Sequence, residues 1–181
     1  MKNSKISFTV ALGGITAALS LLLMFMAAIV PVLTYAMPAA AGALMAVIVI
    51  EINKKWAVTT YAAVAVLSLI LVPSKEASLL FAAFMGFYPI LKSVLEKIKK
   101  RAVRLGLKLL VFNVSMIVYY QLVIRFVSDA ELLEDSGDLG KYGLLILLAA
   151  ANVVFVVYDL ALTRLISMYY NWFRKKFLRR L

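Results

Sequence analysis

Cysteine and histidine are both absent from the 181 residues. Without cysteine there is no disulfide, and redox usage says nothing about compartment. With neither residue, a structural zinc site or a haem site lacks its usual ligands, so no metal or cofactor is expected. Acidic side chains are also scarce, nine against twenty Lys and Arg. Five of the nine fall in one stretch, "SDAELLEDSGDLGKY" at 128–142. Asp159 is the only aspartate inside an apolar run, so a two-aspartate intramembrane protease dyad cannot be assembled. Nor is there a phosphate-binding G-x-x-x-x-G-K-[ST] motif. The nearest string, "GDLGKY", has the wrong spacing and ends in tyrosine. The chain is therefore expected not to be an enzyme, and an ATP-driven role would need partner chains.

What is abundant is apolar surface. Hydrophobic residues make up 65% of the chain, and the mean hydropathy is +0.97. Such a composition belongs to the membrane class. A spanning helix needs about 20 apolar residues. Six segments qualify, at about 7–30, 38–53, 57–72, 77–95, 107–126 and 143–167. The first is too long for a secretory signal core and reads as a retained helix. The second and third are short and suit burial within the bundle. The expectation is a single all-α domain over 1–181: a polytopic membrane protein with six transmembrane helices in one bundle.

The net charge of +11 acquires meaning from its placement. With both termini cytoplasmic, seventeen of the twenty basic residues fall on the inner side, including Lys54, Lys55 and the cluster Lys92 to Lys108. Only Lys75, Arg125 and Lys141 lie outside, where the acidic 128–142 loop also falls. This asymmetry follows the positive-inside rule for an even number of spans. The basic runs beside the membrane attract anionic lipid. They lack the motifs of a nucleic-acid binder, so no nucleic-acid partner is expected.

Polar residues inside spans are functional candidates by default. Asn152, Phe155 and Asp159 share one face of the sixth segment. On the fifth, Tyr120, Gln121 and Arg125 lie toward the outer end. On the fourth, Phe84 and Tyr88 continue a stripe begun by Phe81, with Lys75 just before it. Tyr35 sits in the first outer loop. Aromatic rings with a few hydrogen-bonding tips suit a pocket for a small planar polar ligand. An interfacial aromatic belt accounts for Tyr35 and Tyr119 equally well. Lys75 and Arg125 hint at a carboxylate or phosphate on the ligand, or they pair with outer-loop acids.

Small residues mark the first segment. Gly13 and Ala17 are four apart, as are Gly14 and Ala18, giving a smooth strip within "ALGGITAALS". Such strips let helix backbones approach closely in lipid. The strip docks either onto a neighbouring helix of the same bundle or onto a partner.

These features together resemble the substrate-binding S components of energy-coupling factor (ECF) transporters, six-helix membrane proteins with an alanine-based strip on helix one. Here that strip reads Gly13-x-x-x-Ala17 and Gly14-x-x-x-Ala18. The resemblance implies a subunit in a bacterial cell membrane that captures a vitamin or similar water-soluble micronutrient. It implies docking through Gly13, Gly14, Ala17 and Ala18 onto a T component that carries two ATPase subunits. It places Tyr35 and Lys75 at the mouth of the substrate pocket. Residues of helices four to six, among them Phe84, Tyr88, Tyr120, Gln121, Arg125 and Asn152, would line it. Two other readings stand beside it: a structural scaffold resembling the MreD family, with no ligand, and a stand-alone secondary carrier. A carrier would normally show repeated helix breaks near the midplane, and Pro89 marks only one such place.

Overall fold

The computed structural model describes residues 2–126 and 143–173. Within them the chain is helical, and among the described residues there is no strand. The helices are α1 (Lys2–Ile29), α2 (Ala36–Glu51), α3 (Lys54–Leu71), α4 (Lys75–Leu80), α5 (Tyr88–Leu95), α6 (Arg101–Phe126) and α7 (Gly143–Met168). A π-helical segment, Phe81–Met85, joins α4 toward α5, and a second, Tyr169–Phe173, continues α7. The chain divides into two compact units, residues 1–128 and 129–181.

Among the described residues five helical runs are long and apolar enough to cross a membrane: Ile6–Ile29, Lys54–Leu71, Lys75–Leu95, Arg101–Phe126 and Leu148–Asn171. The helix α2 has only 16 residues. At 1.5 Å per residue it is about 24 Å long, short of a hydrocarbon core of about 30 Å. Its place explains its length. Ala41, Gly42, Met45, Ala46 and Ile48 are buried, and α1, α3, α5 and the Phe81–Met85 segment pack around it. It is the central helix of the first unit.

Local sequence sets the helix ends. Asn53 caps α3, its Oδ1 accepting the Trp56 N–H at 2.9 Å, and Ser74 caps α4 through the Ala77 N–H at 3.3 Å. Such caps satisfy N–H groups that have no partner within the helix. Pro73 follows the last turn of α3 and Pro89 occupies the first turn of α5, positions where a missing N–H costs little.

Hydroxyl groups tie neighbouring helices together. Ser20 donates to the Ala41 carbonyl at 3.4 Å, and Ser78 donates to the Ser68 carbonyl at 3.1 Å. Lys54 donates to the Ser93 carbonyl at 3.3 Å, and Tyr61 donates to the Ala82 carbonyl. From Ser68–Ser78 through Tyr61–Ala82 to Lys54–Ser93, one partner's number falls as the other's rises, so α3 runs antiparallel to the span from Lys75 to Leu95. Within this frame Met24, Met45, Ile48, Val64, Val72 and Phe81 form the apolar core. Ile15, Leu22, Ile70 and Ile117 lie on the outside, as expected where the surroundings are lipid rather than water.

Candidate functional site

The span from Lys75 to Leu95 is broken. After α4 the helix widens into the π segment, and Gly86 and Phe87 form a turn before α5 begins. A π-turn misaligns carbonyls that an α-helix would pair, and such bulges recur at functional positions. Tyr61 of α3 supplies a hydroxyl to one of them, at Ala82. Two glycines make the geometry possible. A Cβ at Gly42 would run into the Met85 carbonyl oxygen, so only glycine lets α2 press against the π segment. A Cβ at Gly86 would lie 2.6 Å from the Tyr61 ring and 2.7 Å from that of Phe81.

The break aims aromatic rings inward. Phe84 stacks on Tyr88 with centroids 4.8 Å apart, and meets Phe112 of α6 edge-on at 5.2 Å. Phe81 and Phe87 close around Tyr61 at 6.0 and 6.2 Å. Phe84 and Tyr88 are both 0% exposed. Expected from sequence to line a pocket, the two stand in a ring cluster with Phe112, Tyr88 opening α5.

One turn beyond the rings, two buried lysines meet an exposed carboxylate. Tyr88, Lys92 and Glu96 follow at four-residue intervals, which puts them on one helix face. Lys108 stands one turn before Phe112 on α6. A single carboxylate oxygen, Glu96 Oε1, accepts from Lys92 Nζ at 3.2 Å and from Lys108 Nζ at 3.3 Å. Lys92 is 1% exposed and Lys108 4%. Partial burial pushes the Glu96 carboxyl up, but Lys92 and Lys108 outweigh it and hold the group below its ordinary value. The sequence places the cluster from Lys92 to Lys108 on the cytoplasmic side; its two end members are buried and share one carboxylate. The signal was the Tyr88–Lys92–Glu96 spacing, obscured by the neighbouring run of lysines.

At the opposite end of the first unit, Tyr35, Tyr120, Gln121 and Arg125 are exposed. Lys75 is committed to the fold. Its Nζ donates to the carbonyls of Leu69 at 2.8 Å and Val72 at 3.1 Å, closing the last turn of α3 where carbonyls lack partners. In the second unit, Asn152 Nδ2 donates to the Leu148 carbonyl of its own helix at 2.7 Å.

The strip of small residues on α1 divides in two. Thr16 and Ser20 are buried, and Ala17 packs against the core. A Cβ at Gly13 would stand 3.5 Å from Thr60 Oγ1, an ordinary contact. Gly13 and Ala17 therefore face α3 and the chain's own interior. Gly14 and Ala18 are exposed, and a Cβ at Gly14 would meet nothing within 4 Å.

Comparison with known proteins matches this chain to no family, no curated relative and no solved structure.

Function must therefore be argued from the site itself. Among the described residues, no three His, Cys, Asp or Glu side chains gather as metal ligands would. Three features stand out: a break in the fourth span, two buried lysines sharing the exposed Glu96 carboxylate, and a smooth exposed half-strip on α1.

Proposed function

We propose that the protein is the substrate-capturing subunit of an ATP-driven uptake system for a small water-soluble micronutrient, comparable to an ECF S component. In this reading α2 counts as a sixth span and both termini are cytoplasmic. The basic ends of α3, α5 and α6 then face the cytoplasm of a bacterial cell, and Tyr35, Tyr120, Gln121 and Arg125 face outward. The subunit binds without performing chemistry. A T component with two ATPases supplies the energy.

The observation that carries this reading is the exposed half-strip at Gly14 and Ala18. Close approach of backbones is what drives helix association in lipid, and the inward half, Gly13 and Ala17, already serves the chain's own packing. The outward half is left for a second protein. A scaffold role, as in MreD-like proteins, draws support from the close contacts among the rings of Phe84, Tyr88 and Phe112. Purification in mild detergent followed by mass spectrometry separates the two. The capture reading predicts co-purifying ATPase subunits and a retained small molecule. A scaffold yields neither.

A further inference from the structure

Lys92 and Lys108 are buried, yet the oxygen they share belongs to a residue at the surface. The Glu96 side chain is 42% exposed. Glu96 caps the C-terminal end of α5. Its backbone N–H donates to the Lys92 carbonyl at 2.9 Å, a bond that does not involve the carboxylate. The carboxylate can therefore swing outward without unwinding α5. Lys108 lies about 10 Å along α6 from its start. Helix side chains lean toward the N-terminus, so its long stem carries the ammonium back toward that end, where Glu96 stands.

A third ammonium joins the group. Lys54 Nζ of α3 donates to the Ser93 carbonyl at 3.3 Å. Helix carbonyls point toward the C-terminal end, so this ammonium stands at the level of Glu96. Cations dominate the surroundings. Two basic residues at 54–55 and seven between Lys92 and Lys108 stand against two acids, Glu51 and Glu96. Taking an ammonium out of water is costly unless an anion pairs with it, and here one surface carboxylate serves two. A phosphate group offers a charged oxygen to each, and lysine binds phosphate as a point charge. The place is also right. The group stands where α5 ends at Leu95 and α6 begins at Arg101, the level at which two candidate spans leave the apolar layer and meet lipid headgroups.

We propose that Lys92 and Lys108 form a binding site for a phosphate-bearing anion, with Glu96 as the displaceable group that holds the site in its absence. The phosphate belongs to an anionic phospholipid or to a free phosphate compound. The site is distinct from the α1 strip and stands whether the chain captures a nutrient or serves as a scaffold.

The test uses the full chain purified in dodecyl maltoside. One arm is native mass spectrometry with dioleoylphosphatidylglycerol or dioleoylphosphatidylcholine, and the other is calorimetry with inorganic phosphate. A lipid source predicts a preference of about fivefold or more for phosphatidylglycerol, whose headgroup lacks the repelled choline cation, and silence toward inorganic phosphate. A free phosphate compound predicts binding of inorganic phosphate and no preference between the lipids. In whichever arm binds, Glu96→Gln should tighten binding several-fold, because the competing charge is gone. Lys108→Met should weaken it by about fivefold or more, and Lys99→Met, at an exposed position, should change it by less than about twofold. If Lys108→Met does not fold, Glu96→Gln decides alone. No lipid preference together with silence toward inorganic phosphate would overturn the site. So would binding that Glu96→Gln leaves unchanged or weakens, or a loss in Lys108→Met no larger than in Lys99→Met.

Discussion

Glu96 holds two ammonium groups with one oxygen, and that sharing has measurable consequences. Removing the carboxylate leaves Lys92 and Lys108 short of a charge-assisted acceptor, so Glu96→Gln should lower stability by about 1–3 kcal/mol, read as a fall in the unfolding midpoint in detergent. Lys92→Met should cost less, because exchanging a buried charge for an apolar chain of similar length removes its desolvation penalty as well. The pH dependence has a definite sign. The folded carboxyl titrates below its ordinary 4.5, so its contribution is complete above that value and is lost as pH falls through the lower folded value. Acid should destabilise the wild type as pH falls below the ordinary 4.5, and Glu96→Gln should flatten that slope. A similar slope in the variant would show that the pairing contributes nothing. Gly42 is equally specific. With the Met85 carbonyl occupying the space of a side chain, Gly42→Ala should cost about 1–3 kcal/mol, the range for overpacking. Gly14→Ala, in open space, should be neutral.

At the scale of the element, the span from Lys75 to Leu95 shows what hydropathy does and does not reveal. Its length and apolar character were legible, and so were its start after Pro73 and a break near Pro89. The form of the break was not. Nothing in "FAAFMGFYP" distinguishes a π segment from regular helix, since the distortion depends on Tyr61 reaching Ala82 and on α2 pressing in at Gly42. Both are contacts between distant parts of the chain. The same limit applies to Lys92 and Lys108, whose burial depends on α5 meeting α6. Small residues on α1 were visible as a strip, but which half turned inward depended on where α3 docked. If the Tyr61 hydroxyl holds the break, Tyr61→Phe should lower stability by about 0.5–1.5 kcal/mol, the net worth of one hydrogen bond. It should also speed amide exchange near Ala82 and Gly86. Unchanged exchange would mean the π geometry is held by packing alone.

For the whole molecule, membrane class and helical architecture followed from composition, because apolar runs of this length admit few alternatives. Five candidate spans and the short central α2 agree with that reading. The absence of cysteine makes the topology directly testable, since single-cysteine variants carry no background. With both termini cytoplasmic, a cysteine at Lys55 should react with an impermeant maleimide only in inverted vesicles, and one at Lys75 only in intact cells. The reverse pattern would turn the molecule over.

The central claim is that the outward half of the α1 strip is a seat for another protein. It is tested most directly by Gly14→Leu in affinity purification, with the co-purified subunits quantified by mass spectrometry. The account predicts a stable, monodisperse variant that has lost its ATPase-bearing partners while retaining the small molecule. An undiminished partner complement, or a chain that fails to fold although Gly14 faces open space, would contradict it.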